Sequence, residues 1–542
     1  MATLPRKARQ KSKAVPRRVR SSRSAARQVA VRKKKRTAPN RDSAGAPPSA
    51  SLPTVRVRMY RQGLGDCFLL TFNPGGDEKH VLIDCGTLGA KYTDVKLPDV
   101  IADIDKTSNG HLHLVVATHQ HQDHLSGFPK LSDQFSPAKS KQIDHVWLAW
   151  TENPNDKLAN SLGKARDDMA IAVKSAAQAL HATSGNEDTA NAVDSLLGFF
   201  GDTAITGGGT TFAAAAKNSI DCVRGLVKQA EYRNPGEPVI EPDWLPGFRF
   251  YVLGPPRDID AIHDTGAHGS SELYALTALT RAALQKSAGD KKTATGDDSP
   301  VEAPFDQRYR LLKEDPLIVK TYGKTYLNRD DPLQRWRTVD TDWLNGASAL
   351  AIRLDSFTNN TSLVLAIERI ADGKVLLFPG DAQEGNWLSW QGSSISWQMN
   401  MPNGKTCTVT AKDLLARTVF YKVGHHSSHN ATAKANGLEM MTSQSELTAF
   451  IPVDRQVALG RSPAGTWKMP ARQLYRALLD KCQGRVVRSD IGWASDVAQG
   501  TKGVEAEFAA LGTQQEWSTW TKSQQAAARV QIAADHIDFL LE

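Results

Sequence analysis

Within Val115-Val116-Ala117-Thr118-His119-Gln120-His121-Gln122-Asp123-His124-Leu125-Ser126-Gly127, three histidines and an aspartate fall inside six residues. The run before them is apolar, so Leu114 to Ala117 reads as a buried strand with the polar cluster in the loop at its carboxyl end. Imidazoles at i and i+2 of an extended loop can point the same way and grip one borderline-soft divalent cation. The adjoining Asp123 and His124 can grip a second cation close by. Two cations so placed polarise a substrate oxygen and hold a bridging hydroxide near neutral pH, which is hydrolytic chemistry. The whole chain has only 14 histidines in 542 residues, so chance is a poor account of the cluster.

Two further strand ends carry the same residue types. Val375-Leu376-Leu377-Phe378 runs into Pro379-Gly380-Asp381-Ala382, where glycine permits close backbone approach and one carboxylate can bridge two cations. Val419-Phe420-Tyr421-Lys422-Val423-Gly424 runs into His425-His426-Ser427-Ser428-His429. Ligands delivered from several strand ends are what a metal site at one edge of a sheet requires.

His119-x-His121-x-Asp123-His124 resembles the metal-binding signature of the metallo-β-lactamase superfamily. Gly65-Asp66-Cys67-Phe68-Leu69-Leu70 and Leu82-Ile83-Asp84-Cys85-Gly86 look like that superfamily's opening hairpin. Asn359-Asn360-Thr361-Ser362-Leu363-Val364, Leu376 to Ala382, and Lys422-Val423-Gly424-His425-His426 narrow the resemblance. They are similar to the metallo-β-lactamase domain of the DNA-uptake competence proteins, in a stand-alone soluble form. The similarity covers residues 54–150, 246–256 and 347–495.

The resemblance implies an α/β fold, a four-layer αββα sandwich, with a site for two divalent metal ions along one edge. Zinc is the expected metal and manganese the alternative. His119 and His121 would hold the first ion, Asp123 and His124 the second, with Asp381 bridging and His425 completing the second site. His426 is the fallback ligand or a group facing the leaving oxygen. Asp84 would orient the ligand loop by hydrogen bonding. Asp381, Asp123 and His426 are the candidate catalytic residues, with Asp381 or a metal-bound water as base and His426 or Lys422 neutralising the leaving group. Two departures stand out. Ser427 occupies the position where the family usually has glycine after the histidine pair. Gly254-Pro255-Pro256 stands where lactamases and lactonases supply a third histidine, leaving His263, His268, water or no third ligand at the first ion.

The elements that must position these residues are also legible. Val55 to Met59, Cys67 to Phe72 and His80 to Asp84 read as strands joined by Gly-rich turns. His145 to Trp150, Phe248 to Leu253, Ser348 to Leu354, Ser362 to Ile367, Lys374 to Phe378 and Leu447 to Val453 read as further strands. Ala165 to Ala182, Ala190 to Phe200 and Thr211 to Ala230 are Ala-rich with helical spacing. Helices are also expected over Ser271 to Ser287 and Ala471 to Cys482, with a polar loop from Lys286 to Pro304. Gly484 to Gly492 reads as a closing strand and turn. The expected organisation is a disordered basic tail (1–52), a first core half (53–155), a helical insertion (156–246), a core strand plus helix and loops (247–346), a second core half (347–495) and a C-terminal packing segment (496–542). That last segment holds Trp517, Trp520 and a helical stretch ending His536-Ile537-Asp538-Phe539-Leu540-Leu541.

The net charge of +9 belongs to the tail. Residues 1–41 hold sixteen Lys and Arg and no acid, so the remainder, with 51 basic and 58 acidic residues, is net −7. A block such as Arg32-Lys33-Lys34-Lys35-Arg36 attracts polyanions by counterion release. The five cysteines are widely spaced with no C-x-x-C, which argues against a disulfide framework and a thiolate zinc site and fits a reducing compartment. No long apolar run reads as a transmembrane span. The expected location is cytoplasmic, although the Arg- and Ser-rich tail also suits an organellar transit peptide.

The leading functional expectation is a metal-dependent phosphodiesterase or nuclease using a metal-bound hydroxide on a nucleic acid or nucleotide. The alternatives are hydrolysis of a carboxylic ester, lactone or thioester on the same fold, or an effector-partner protein. In the last, protein partners would engage the helical insertion and the metal site would be structural.

Overall fold

Alternate residues along the strands face two different apolar layers, and that alternation builds the fold around the site. The computed structural model describes residues 52–73, 75–91, 93–181, 187–201, 219–263, 316–324, 347–391, 395–400, 406–461, 469–498, 506–527 and 529–542. The basic tail, the helix expected over 271–287, the loop over 286–304 and His268 lie outside them. In chain order the strands are β1 (Val55–Tyr60), β2 (Cys67–Phe72), β3 (Lys79–Cys85), β4 (His111–Ala117), β5 (Gln142–Ala149), β6 (Glu231–Arg233), β7 (Phe248–Gly254), β8 (Val364–Arg369) and β9 (Val375–Phe378). They continue as β10 (Ser396–Asn400), β11 (Thr406–Thr410), β12 (Thr418–Lys422), β13 (Thr448–Ile451), β14 (Val486–Arg488), β15 (Gly492–Trp493), β16 (Val530–Ile532) and β17 (His536–Leu541). One sheet runs β16-β17-β1-β2-β3-β4-β5-β6, the other β15-β14-β13-β12-β9-β8-β7, and β10 pairs with β11 alone.

Leu114 and Val116 of β4 join Leu365, Ile367, Leu376 and Phe378 in the core between the two sheets. Their neighbours Val115 and Ala117 face outward into a layer with Ile104 and Leu131, from the helices Leu97–Ser108 and Phe128–Gln134. On the other sheet, Val364, Ala366 and Leu377 face a layer with Trp387, Tyr475 and Leu478. The result is the four-layer αββα sandwich expected from the sequence. Strands buried on both faces read as continuous apolar runs, which is why β4, β9 and β12 were legible. Each fully buried aliphatic side chain contributes about 2 kcal/mol, so the strand ends are rigid anchors for the loops that follow them.

Three expectations need correction or extension. Ser348 to Leu354 is no strand but part of a helix, Ala347–Asn360. Its buried apolar residues Ala347, Leu350, Ala351, Leu354 and Phe357 recur at helical spacing, whereas Ile352 is exposed. His536 to Leu541 is no helix end. The helix before it stops at Gln525, and Ile537, Phe539 and Leu541 alternate into the inter-sheet core while β17 pairs antiparallel with β1. The insertion helices Lys157–His181 and Glu187–Leu197 form a separate small core with the helix Ala347–Asn360, including Val173, Val193, Phe200 and Leu354. Residues 211–218 of the expected helix Thr211 to Ala230 fall outside the described set. None of the five cysteines is in a disulfide, and no helix among the described residues is long and apolar enough to cross a membrane.

The terminal strand is locked by charge. Arg58 Nε and Nη2 each donate to the Asp538 carboxylate at 2.9 Å, and Nη1 donates to Asp103 Oδ2 at 2.7 Å. Burial works against the Asp103 charge, but hydrogen bonds from Tyr60 and Arg58 outweigh it and hold this carboxyl below its usual range. A carboxyl depressed in the folded state stabilises it above the unfolded pKa of about 4, and that contribution is lost as pH falls through the folded value. Asp103→Asn is therefore expected to lower stability by about 1 kcal/mol at pH 7, with the gap to wild type closing below about pH 4. Denaturant titrations at pH 7 and pH 3 check this.

Candidate metal centre

At the carboxyl end of β4 the backbone is caught by Asp84, at the end of β3. Asp84 accepts from the Thr118 backbone N–H at 2.8 Å and the Thr118 hydroxyl at 2.7 Å, and itself sits at φ 55°. The chain leaving β3 must pass very close. A Cβ on Gly86 would lie 2.3 Å from the Asp123 carbonyl carbon and 2.5 Å from the His124 nitrogen, so only glycine fits there. Gly380 turns the chain at φ 56°, and Asp381 N–H then donates to Ser362 Oγ at 3.0 Å. The third strand end is more strained. His425, His426 and Ser427 are consecutively left-handed, at φ 42°, 49° and 64°. Serine where glycine is usual costs about 1 kcal/mol, and the turn it maintains swings His426 inward.

Hydrogen bonds fix one nitrogen of each imidazole and leave the other facing a shared interior. His124 Nδ1 lies 2.7 Å from Asp84 Oδ2, which aims Nε2 at Asp381 Oδ2, 3.1 Å away. His426 Nδ1 donates to the Pro452 carbonyl at 2.6 Å, and its Nε2 lies 2.7 Å from Asp123 Oδ2. Thr118 Oγ1, 3.0 Å from His119 Nδ1, leaves His119 Nε2 facing His121 Nδ1 at 3.1 Å. Such outer partners set the tautomer and direction of metal-binding histidines.

Ligand atoms of Asp123, His124, Asp381 and His426 all lie within 4.8 Å of one another, and all four residues are buried. The surroundings are rich in carboxylates. Burial opposes a charged His124, yet Asp381, Asp66, Asp123 and Asp84 overcome it and raise its pKa well above normal. Burial likewise opposes a charged Asp381, but His124 and Lys422 hold it well below the carboxylate range. Burial, helped by the neighbouring imidazoles and opposed by Asp123 and Asp381, takes His121 down to about 3, and burial with His124 and His121 drives His119 well below normal, so these two are neutral donors. Lys422 Nζ donates to Asp66 Oδ2 at 2.5 Å, Gly380 O at 2.7 Å and Asp381 Oδ1 at 3.0 Å.

Residues 60–154, which carry β2 to β5 and the histidine loop, match the family model for the metallo-beta-lactamase superfamily. The fold is the metallo-β-lactamase sandwich. Members of this superfamily are generally hydrolases that bind divalent metals. No curated protein matches the chain.

The metal that this fold implies suits the residues present. His121 Nε2, His124 Nε2, Asp123 Oδ1, Asp355 Oδ1 and Asp381 Oδ2 are buried and make no hydrogen bond. Five unbonded imidazole and carboxylate atoms in one buried cluster are costly unless a cation takes some of them. Mixed nitrogen and carboxylate donors fit zinc or manganese.

The structure rearranges several expected roles. His426, the fallback, joins the cluster of four. His425 does not: its Nδ1 lies 2.7 Å from Ser428 Oγ and its Nε2 3.4 Å from Asn359 Nδ2. It serves Asp381 through its backbone, donating N–H to Asp381 Oδ1 at 2.9 Å. Lys422, with its three acceptors, is not free to face a leaving group. His263 stacks on Phe357 with ring centroids 5.0 Å apart and belongs to no metal-competent group among the described residues. Sequence reading missed Asp66, which anchors Lys422 and lies 3.7 Å from His124 Nδ1. Its only signal was a carboxylate beside a buried strand. Asp355 was missed too, because its segment was read as a strand.

The insertion closes over the histidine loop. The Phe200 ring meets His121 edge-on with centroids 4.6 Å apart, and Phe199 lies 5.6 Å away. Beside them opens a cavity of about 430 Å³ lined by Gln120, Glu152, Arg166, Phe200 and Arg224.

Proposed function

We propose that the protein is a metal-dependent phosphodiesterase acting on a nucleic acid or nucleotide, akin to the competence-type domains it resembles. The observation that carries this reading is the buried cluster Asp123, His124, Asp381 and His426 beside the His119–His121 pair. The charge split supports the substrate class: a net-acidic body would repel a polyanion, and a basic tail would concentrate one.

In this reading His119 and His121 would hold one cation, and Asp123, His124 and His426 the other, with Asp381 serving both. When bound, the ions supply charge stabilisation at the phosphoryl oxygens and activation of water. Everything else is done by the chain. Lys422 and the His425 N–H occupy Asp381 Oδ1, which leaves Oδ2 to face inward with a fixed geometry. Asp84, Thr118 and Pro452 hold the imidazoles so that no reorganisation is needed during turnover. Asp381 is kept ionised, which suits holding charge rather than exchanging a proton. Phe199 and Phe200 keep bulk water from one side of His121. The walls of the adjoining cavity, with Arg166 and Arg224, provide a place for the substrate's flanking groups.

Full-length protein loaded with Zn²⁺ or Mn²⁺ is tested on bis(p-nitrophenyl) phosphate, single- and double-stranded DNA, RNA, p-nitrophenyl acetate and a simple lactone. Phosphodiester cleavage that chelation abolishes and added metal restores is the expected result. Removing residues 1–51 is expected to raise KM for the polynucleotide while leaving the small diester unchanged. Turnover of the ester or lactone alone would overturn the reading.

A further inference from the structure

The helix Ala347–Asn360 brings a carboxylate to the metal centre that none of the sequence motifs contains. Asp355 is buried, and Asn359 one turn later donates Nδ2–H to its Oδ2 at 3.2 Å. That leaves Oδ1, which makes no hydrogen bond and lies 3.8 Å from His121 Nε2, itself buried and unbonded. On the opposite edge of the same ring, Nδ1 stands 3.1 Å from His119 Nε2. Two nitrogens on one tetrahedral ion at about 2.0–2.1 Å stand about 3.3 Å apart, so His121 is posed to bind through Nδ1. Binding through Nδ1 requires the proton on Nε2, and a buried N–H needs an acceptor.

We propose that Asp355 is the positioning residue of the first metal site, accepting the His121 Nε2–H and so fixing Nδ1 as the ligand atom. The arrangement is a carboxylate–histidine–cation relay built by the helix packed against the insertion, not by the strand ends. The helix matters more here because Gly254-Pro255-Pro256 supplies no third imidazole. With two histidines at that ion, the orientation of each carries more of the affinity.

This inference rests on the metal-centre reading, and the experiment separates the two. Zinc stoichiometry, zinc affinity by chelator competition, and melting temperature with and without zinc are measured for wild type, Asp355→Leu, Asp355→Asn and Asp381→Asn. Wild type is expected to bind two ions. Asp355→Leu should still bind two at saturation, with one bound about 10–100-fold more weakly. Asp355→Asn, which keeps an acceptor oxygen, should lose less. Without zinc, Asp355→Leu should melt close to wild type, because removal of a buried carboxylate with an unbonded oxygen offsets the hydrogen bond lost by Asn359. Unchanged affinities in Asp355→Leu would overturn the proposal, as would a lower zinc-free melting temperature with affinity intact. Loss of one ion at saturation would make Asp355 a ligand and equally overturn it. A wild type that binds no zinc would instead remove the metal reading beneath it.

Discussion

Asp381→Asn is expected to cut turnover by about three orders of magnitude while the protein still folds. The carboxylate sits where both halves of the site meet. Oδ1 takes the Lys422 ammonium at 3.0 Å and the His425 N–H at 2.9 Å. Oδ2 faces His124 Nε2 at 3.1 Å. An asparagine must either turn its NH2 toward Lys422, placing donor against donor, or turn it inward, where it cannot bind a cation. Either orientation removes one negative charge from the point between the two proposed ions. Stability should fall by about 1–3 kcal/mol, since Lys422 keeps Asp66 as its remaining anionic partner. Circular dichroism and the rate on a small phosphodiester, measured on one preparation, check both halves. Retention of more than a tenth of wild-type turnover would count against Asp381.

The second large effect separates two adjacent histidines. His426→Ala is expected to weaken one metal ion, and with it the rate at fixed metal, by about 100-fold or more. His425→Ala is expected to cost less than about tenfold, because its backbone N–H, which alanine keeps, is what reaches Asp381. His426 points into the cluster through Nε2, whereas the His425 ring is held by Ser428 and lies beside Asn359 and Gln383. Metal titration of the two variants side by side decides the order. A larger loss in His425→Ala would contradict the assignment of His426 to the metal cluster.

This pair also shows where sequence reading stops. The strands β4, β9 and β12 were legible because apolar runs break abruptly at His or Asp, and those breaks located His119 to His124, Asp381 and the histidine pair. Which of His425 and His426 faces inward depends on three consecutive positive φ angles, and no composition or spacing encodes those. Asp355 was hidden for a different reason. Ser348 to Leu354 is a short apolar run, and such runs do not distinguish strand from helix. Read as a strand, it gave no reason to aim a carboxylate one residue later at the metal loop. At the other end, Ile537, Phe539 and Leu541 carry a period of two that a helix reading overlooked. Their strand pairs with β1, far away in sequence, so nothing local announced the partner.

The central claim is that residues distant along the chain share bound cations. Diffraction from zinc-loaded crystals, recorded on both sides of the zinc absorption edge, tests it most directly. The expected result is an anomalous peak enclosed by Asp123, His124, Asp381 and His426, with a second beside His119 Nε2 and His121 Nδ1. Zinc found only elsewhere, for instance at the His111, His113 and Asp144 cluster near the opposite end of β4, would contradict it.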